Sequence, residues 1–198
     1  MRKGDLTRLR IIALAAPIFN RRGFEGCSMQ DIMDATGLEK GGLYRHFSSK
    51  QELAAEVFLY SLDQAIKTRT DGLDHIAGAL PKLAWVIRRF VQGPGPVPGG
   101  CPLLNTAVDA DDGNPILRKL ARKAFTDWKR RLAAIVVQGV KDGEIRRGTN
   151  PNQLANTIIA ALEGGLVLSR IHGSREPLRN VQSSLDVLLD SVAAPMRP

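Results

Sequence analysis

The residues with the most informative chemistry lie between positions 36 and 53, where basic, aromatic and small side chains follow one another closely. Lys40 and Arg45 can donate hydrogen bonds to the O6 and N7 atoms of guanine, which are acceptors in the DNA major groove. Gly41 and Gly42 allow a close approach of the backbone to DNA. We therefore predict that this segment reads base pairs, mainly through Lys40 and Arg45.

Neighbouring side chains suit contacts with the phosphate backbone of DNA. Tyr44, His46 and Lys50 can each donate a hydrogen bond to a phosphate oxygen. Ser28 and Met29 can do so through a hydroxyl and through backbone amides at the start of the preceding helix. The alternative is that Tyr44 is half-buried and His46 is an ordinary surface histidine; we expect phosphate contact for both.

A turn between two short helices is needed to position these side chains, and the sequence predicts one. Ser28 is a typical N-cap for a helix over about residues 29–35. A further helix over about residues 39–47 follows a short turn, which is the helix-turn-helix arrangement that presents its second helix to a DNA groove. Leu43 and Phe47 are expected to face the core of this module.

The first helix of the module is predicted over about residues 5–22. Its apolar positions recur at three- and four-residue spacing, the period of an amphipathic helix. Pro17 removes one backbone donor inside this helix, so a bend or a tolerated kink is expected there. The predicted buried stripe consists of Leu6, Leu9, Ile12, Ala13, Ala16 and Phe19.

Helical patterns continue through the remainder of the chain, and no segment alternates as a strand does. Residues 92–100 are rich in glycine and proline and are expected to form a surface connection or a lid-like loop. The predicted helices run from Ser48 or Ser49 to about Arg69, from about Asp74 to about Val91, and over about residues 114–142, 151–171 and 177–192.

The predicted fold is therefore all-α and has two parts. Residues 1–50 form a three-helix, helix-turn-helix DNA-binding module, and residues 51–198 form a C-terminal helical domain for ligand binding and dimerisation. The chain of 198 residues is long enough to bury a sizeable core in such an arrangement.

Charge supports a polyanionic partner for the first part. The net charge is +8, and residues 1–50 contain nine Lys or Arg against five Asp or Glu, which makes them about three times as charge-dense as the rest. The alternative is an ordinary solvated surface.

Cys27 and Cys101 lack the spacing of a zinc site or a disulfide framework, so we expect a soluble protein of the reducing cytoplasm without metal or cofactor.

The last two predicted helices carry a pattern that suits a helix pair shared between two copies of the chain. Apolar residues of the last helix recur at spacings of three and four, as in a coiled-coil seam, and Gly164 and Gly165 allow two backbones to approach. The alternative is an intramolecular core. The predicted dimer interface consists of Leu154, Ile158, Leu162, Gly165, Leu178, Leu185 and Leu188.

Several residues of the C-terminal part are candidates for binding a small effector. Large aromatic side chains can line an apolar pocket, although at helical spacing they also suit a plain core. Cys101 is either an electrophile or oxidant sensor or a buried structural thiol, and His172 either offers a polar contact or ends a helix. The predicted ligand-binding residues are Trp85, Phe90, Cys101, Phe125, Trp128 and His172.

Residues 5–53 resemble the N-terminal module of the TetR family of transcriptional repressors. This resemblance implies an all-helical homodimer whose three N-terminal helices bind operator DNA, whose last two helices dimerise and whose C-terminal interior binds an inducer. Gly42 departs from the Ser or Thr often found there, so no hydroxyl is available for phosphate contact. Residues 100–105 resemble a subgroup in which a nearby cysteine senses electrophiles or oxidants. The N-terminal resemblance rests on Ala15-Ala16, Phe19, Arg22-Gly23-Phe24, Ser28-Met29-Gln30-Asp31-Ile32, Thr36-Gly37, Gly41-Gly42-Leu43-Tyr44-Arg45-His46-Phe47 and Lys50-Gln51-Glu52-Leu53.

The function expected from these patterns is that of a ligand-responsive homodimeric repressor on a palindromic operator. An enzyme is disfavoured because no nucleophile elbow, metal-binding histidine pair or cofactor fingerprint frames the polar residues. A basic protein of the membrane surface is disfavoured because the basic residues alternate with turn signals and do not line one long helical face.

Overall fold

Helices make up the fold in the computed structural model, which describes residues 2–93, 95, 97–111 and 113–195. No strand occurs within these ranges, and one isolated bridge joins Ile145 and Ala193. The all-α prediction is confirmed. The helices are α1 (Lys3–Arg22), α2 (Met29–Thr36), α3 (Lys40–Tyr44), α4 (Lys50–Thr70), α5 (Ala79–Gln92), α6 (Pro102–Asp109), α7 (Pro115–Asp142), α8 (Pro151–Ile171) and α9 (Glu176–Val192), with a 3₁₀ turn at Leu73–His75.

The chain forms two compact units. Unit 1 comprises residues 1–66 and 95–124, and unit 2 comprises residues 67–94 and 125–198. The predicted boundary between residues 50 and 51 falls within unit 1, so α4 begins in the same unit as the three helices before it. The division of labour between a DNA-binding module and a sensing domain stays a prediction.

Helix α1 is continuous through Pro17, so the expected kink does not interrupt it. Its buried face is rotated from the predicted stripe, since Ile11 and Ala15 are buried whereas Leu6 and Leu9 are 51% and 45% exposed. Ala13 is also exposed, while Ile12, Ala16 and Phe19 are buried as expected. Three- and four-residue spacing fits both faces, and tertiary packing selects the one centred on Ala15.

The turn between α2 and α3 depends on a glycine. Gly37 ends α2 in the left-handed region at φ 68°, and its backbone N–H donates to the carbonyl of Met33. A side chain at this angle would strain the backbone. The chain can therefore reverse direction at once and begin α3 at Lys40.

Helix α3 is shorter than predicted, with five residues in place of the expected nine. Gly41 and Gly42 occupy two of its five positions, and glycine is among the weakest helix formers. Arg45 keeps a helical backbone conformation as the C-cap, so the segment turns without adding another regular turn.

Helix α6 was not predicted from the sequence, where no helix was expected between about Val91 and about residue 114. Pro102 occupies its first position, where the missing N–H of proline has no cost. Pro102 and Leu103 are buried, and so is Val97 of the preceding connection, so this part of the predicted surface connection packs inward.

The core of unit 2 is built by α5, α8 and α9 with the second half of α7. Helices α8 and α9 approach closely at Gly165. A Cβ at this position would lie 2.9 Å from Cγ2 of Val181, so a larger residue would not fit without a shift. Helix α8 has the length and composition of a membrane span, and its buried apolar residues Leu154, Ile158 and Leu162 pack in this core.

The residues predicted for a dimer interface lie mainly in this same core. Within one chain they pack as the intramolecular alternative expects, and a side chain so buried has little surface left for a second copy. The buried residues are Leu154, Ile158, Leu162, Gly165, Leu178 and Leu185, and Leu188 is partly buried against them.

Candidate nucleic-acid interface and effector site

The start of α2 is fixed by a reciprocal cap. Ser28 Oγ accepts a hydrogen bond from the backbone N–H of Asp31 at 3.1 Å, and the Asp31 carboxylate accepts from the Ser28 N–H at 2.8 Å. Arg22 Nη1 lies 2.5 Å from the same carboxylate. Hydrogen bonds from Ser28, followed by the Arg22 guanidinium, lower the pKa of Asp31 to about 2. The predicted phosphate contact Ser28 is thus exposed, with its hydroxyl engaged in the cap.

Helix α3 presents a polar outer side and an apolar inner side. Lys40, Tyr44 and Arg45 are exposed, and Tyr44 retains 42% of its surface. Leu43 and Phe47 are completely buried, as predicted. The two residues expected to read bases, Lys40 at the first position of α3 and Arg45 as its C-cap, are therefore exposed on a segment that Leu43 and Phe47 anchor in the core.

The two glycines of α3 leave space at its surface. A Cβ at Gly41 would meet no atom within 4 Å, and one at Gly42 would touch only Leu38, at 3.6 Å or more. Neither glycine is required by packing within the described part of the chain. The close approach of this backbone to a DNA groove stays a prediction.

A charged network holds the C-terminal end of the α3 segment. Arg8 of α1 donates to the backbone carbonyl of His46 and stacks 4.1 Å above the Phe47 ring. Its guanidinium also lies 2.8 Å from Glu52 and forms a short hydrogen bond to Glu56. Hydrogen bonds to Glu56 and then to Glu52 raise the pKa of Arg8 above its ordinary value, so it stays charged.

The same network joins α4 to the residues before it. Ser48 donates to the Glu52 carboxylate through its hydroxyl at 2.7 Å and through its backbone N–H at 2.8 Å. These bonds, together with Arg8, lower the pKa of Glu52 to about 2. Ser49 Oγ accepts from the Glu52 N–H at 3.1 Å, which identifies Ser49 as the cap of α4.

The remaining predicted phosphate contacts differ in their surroundings. His46 is half-buried, and its carbonyl is held by Arg8. Lys50 places its ammonium 4.2 Å from the centre of the Phe24 ring. Met29 is half-buried in the first turn of α2. All of the predicted DNA-contacting residues thus belong to unit 1 and lie on α2, on α3, in the first turn of α4 or within two residues of the ends of α2 and α3.

Sequence reasoning missed a polar cluster between α1 and α6. Asn105 Nδ2 donates to the carbonyls of Asn20 and Gly99, both at 2.9 Å. Asn20 Nδ2 in turn donates to the carbonyls of Val97, Pro98 and Gly100 at 3.1 to 3.3 Å. These bonds fix the connection before α6 to the end of α1. Since the two asparagines are 85 positions apart, no local signal marks the pair.

A cavity of about 30 Å³ lies beside this cluster in unit 1. It has room for one or two water molecules, whereas pockets for drug-sized ligands measure roughly 300–1,000 Å³. Its walls include Ala16, Phe19, Phe24, Phe58, Thr106 and Asp109. None of the residues predicted to bind an effector lines it.

Three of the predicted effector residues form one cluster in unit 2. The rings of Phe90 and Trp128 are 6.0 Å apart between centroids, and those of Phe125 and Trp128 are 6.5 Å apart. Arg69 stacks on Phe90 at 4.1 Å. Trp85 lies elsewhere on α5, 5.7 Å from the guanidinium of Arg89.

The two other predicted effector residues are not part of this cluster. Cys101 is buried in unit 1 immediately before α6. His172 is exposed and is the C-cap of α8, where a cation is favoured by the helix dipole. Cys27 is the second buried thiol, and burial raises its pKa to about 11, so it is protonated at neutral pH.

Comparison with known proteins gives matches over both parts of the chain. Residues 11–57 match the family model of bacterial regulatory proteins of the tetR family, and residues 79–185 match that of the tetracyclin repressor-like C-terminal domain. The HTH-type transcriptional repressor DhaR of Mycobacterium sp. (strain GP1) is 26% identical over 172 residues, which is 86% of each chain.

Solved structures agree with these matches along almost the whole chain. A TetR transcriptional regulator from Chloroflexus aurantiacus J-10-FL superimposes with a TM-score of 0.93 and 38% identity, covering 99% of this chain and 100% of its own. A TetR family regulator from Cytophaga hutchinsonii gives a TM-score of 0.92 and 32% identity, covering 99% of both chains. The family resemblance of the motifs is confirmed.

Proposed function

Because the chain belongs to the TetR family of transcriptional regulators, we propose that it is a homodimeric repressor that binds a palindromic DNA operator and releases it when a small molecule binds unit 2. The relatives it matches are transcriptional regulators and not enzymes. Because the proposed partner is operator DNA, we expect the protein to act in the cytoplasm.

The observation that carries the proposal is the exposed side of α3. Lys40 and Arg45 are exposed at the two ends of a short helical segment whose Leu43 is fully buried, and the end of this segment is held by Arg8 through the carbonyl of His46. Base readout requires donors in fixed positions, since a bidentate contact to guanine tolerates little displacement. Lys50, Tyr44 and the first turn of α2 supply the accompanying phosphate contacts.

Dimerisation is proposed through the outer face of α8, which we define as Ala160, Gly164, Val167, Leu168 and Ile171. These residues recur at helical spacing, and three of them are large apolar side chains left exposed, Ile171 by 75% of its surface. A Cβ at Gly164 would meet nothing within 4 Å, so a second helix can approach there. Exposed Val187 adds an apolar residue on α9. This face replaces the mostly buried residues predicted from the sequence.

The effector site is proposed around Phe90, Phe125 and Trp128 of unit 2. Phe125 and Trp128 are partly exposed and their rings stack, Phe90 is buried beside Trp128, and Arg69 adds a cation above Phe90. Such a site suits a small molecule with an apolar or aromatic body. Release of DNA requires that the molecule bind one conformation of the dimer better than the other.

Selection of bound sites from random duplex DNA tests the proposal. A dimer should enrich a palindrome whose half-sites are roughly 34–36 Å apart, one turn of B-DNA. Sedimentation of the protein with the selected duplex should give two chains per duplex. Enrichment of no sequence at 150 mM salt, or of one unrepeated half-site bound by a single chain, would contradict the proposal.

A further inference from the structure

Helix α7 is strongly basic, with eight Lys or Arg against two Asp over residues 115–142. In its first turns Leu117, Ala121 and Ala124 are buried in unit 1. The opposite side carries four exposed cations within six positions, which we call the α7 basic stripe. It consists of Arg118, Lys119, Arg122 and Lys123.

The beginning of α7 is fixed to the beginning of α4. Gln51 Nε2 donates to Asn114 Oδ1 at 2.6 Å, and Asn114 Nδ2 donates back to Gln51 Oε1 at 3.3 Å. Asn114 is buried and also caps α7 by accepting from the Leu117 N–H at 3.0 Å. Gln51 follows Lys50, a proposed phosphate contact. The stripe therefore begins about one helical turn, roughly 6 Å along the axis, from a residue that touches the first turn of α4.

Acidic residues lie shortly before the stripe in the sequence. Asp109 turns its carboxylate to the backbone N–H of Phe24 at 2.6 Å. Asp111 is exposed, and its carbonyl accepts from Arg118 Nη1 at 3.0 Å, which orients that guanidinium. Lys119, Arg122 and Lys123 lie farther along the helix from Asp111, on its solvent side.

We propose that the α7 basic stripe binds phosphates of the duplex that flanks the operator, so that the DNA footprint of the protein extends beyond α2 and α3. This inference rests on the proposed function, because the operator must first bring duplex DNA to Lys50. A row of cations that continues from a phosphate contact matches the repeated charges of a DNA backbone. An anionic membrane is the poorer partner, since insertion into lipid needs an apolar face, and the apolar residues opposite the stripe, Leu117, Ala121 and Ala124, are buried in unit 1.

Flank length is the variable that tests this assignment. The duplex is the selected palindrome, either with two base pairs beyond each end or with twelve. The variant is Lys119→Ala/Arg122→Ala, which leaves the hydrogen bond from Arg118 to the Asp111 carbonyl in place. The matched control is Arg147→Ala/Arg179→Ala, which removes two exposed cations of unit 2. Titrations at several salt concentrations give the affinity and its salt slope for each protein on each duplex.

The wild type and the control should bind the long duplex more tightly and with a steeper salt slope than the short one. The variant keeps Arg118 and Lys123, so it should lose a large part of this gain and approach the affinity of the wild type for the short duplex. Four lost phosphate contacts per dimer change the slope by up to about 3.6, at about 0.9 for each. Equal melting temperatures for all three proteins should show that unit 1 is intact.

The opposite results are also informative. Equal wild-type binding to both duplexes, or an equal loss for variant and control, would overturn the stripe but leave the repressor proposal intact. Stronger stripe-dependent binding to vesicles of anionic phospholipid than to the long duplex would assign the surface to membrane. Failure of the wild type to bind either duplex would remove both proposals.

Discussion

The carboxylate of Asp109 accepts a hydrogen bond from the backbone N–H of Phe24 at 2.6 Å. The two residues are 85 positions apart, and they join the last turn of α6 to the turn that follows α1. Gly23 leaves the space for this carboxylate, since a Cβ there would lie 2.3 Å from Asp109 Oδ1. The segment that leads into the helix-turn-helix is thus held by a side chain from outside it.

Replacement of Asp109 by Ala should destabilise the protein. The Phe24 N–H would lose a partly buried, charged acceptor, and such a loss costs about 1–3 kcal/mol in free energy of unfolding. Urea denaturation measures the difference. Asp111→Ala is the matched control, because that side chain is exposed and its change should stay within about 0.5 kcal/mol. Equal losses for both variants would mean that the bond to Phe24 contributes nothing specific.

Stability should fall in acid partly through Glu52. Its folded pKa of about 2 lies below that of an unfolded glutamate, about 4.3, because Ser48 and Arg8 bind the charged form. The stabilisation is therefore complete above the unfolded pKa and is lost as pH falls from about 5 towards 2. The stability difference between wild type and Glu52→Gln should shrink over this range.

Denaturation at fixed protein concentration from pH 6 to pH 2.5 measures this difference. Glu25→Gln is the control, since that exposed carboxylate lies outside the Arg8 network and its difference from wild type should stay nearly constant. A difference for Glu52→Gln that does not vary with pH would contradict the assigned pKa.

Ile171→Asp should dissociate the proposed dimer. A carboxylate that is buried in an apolar contact loses its hydration without gaining a partner. Val137→Asp is the matched control, because Val137 is also exposed, by 55% of its surface, but lies on α7 away from the outer face of α8. Sedimentation velocity should give a monomer for the first variant at concentrations where the second remains a dimer. Dimers in both cases would exclude Ile171 from the interface.

Sequence periodicity predicts the long helices well and their buried faces less well. Helix α8 has its predicted bounds, because Asn150 caps it and Pro151 begins it. The buried face of α1 was predicted correctly at Ile12 and wrongly at Leu9, since spacing alone fits several rotations of one helix. A local sequence pattern therefore predicts that a helix forms, but tertiary packing determines which of its faces is buried.

Some features of the candidate site could likewise be predicted from local sequence, and others depend on contacts between distant residues. The exposure of Lys40 and Arg45 could be predicted from the sequence because the helix-turn-helix that exposes them is local, whereas their contact with bases stays a prediction. Helix α6 and its bonds from Asn105 to Asn20 could not, because its eight residues are held by partners far away in the sequence. The predicted effector residues form one cluster only in part, since composition does not say which aromatic rings meet.

Arg45 and Lys50 should affect DNA binding in different ways. Arg45→Ala removes an exposed donor proposed to contact bases, and it should cost about 1–3 kcal/mol on the selected operator while leaving binding to unrelated duplex nearly unchanged. Lys50→Ala removes a proposed phosphate contact, so it should weaken binding to both duplexes and lower the salt slope by about 1 per protomer. Titrations of operator and unrelated duplex at several salt concentrations separate the two effects. Because Lys50 also stacks on Phe24, a melting curve of Lys50→Ala must show that the module is folded. Arg147→Ala, which removes an exposed cation, is the charge control for the Arg45 and Lys50 variants. Equal losses of operator binding with equal salt slopes would contradict this division between base and phosphate contacts.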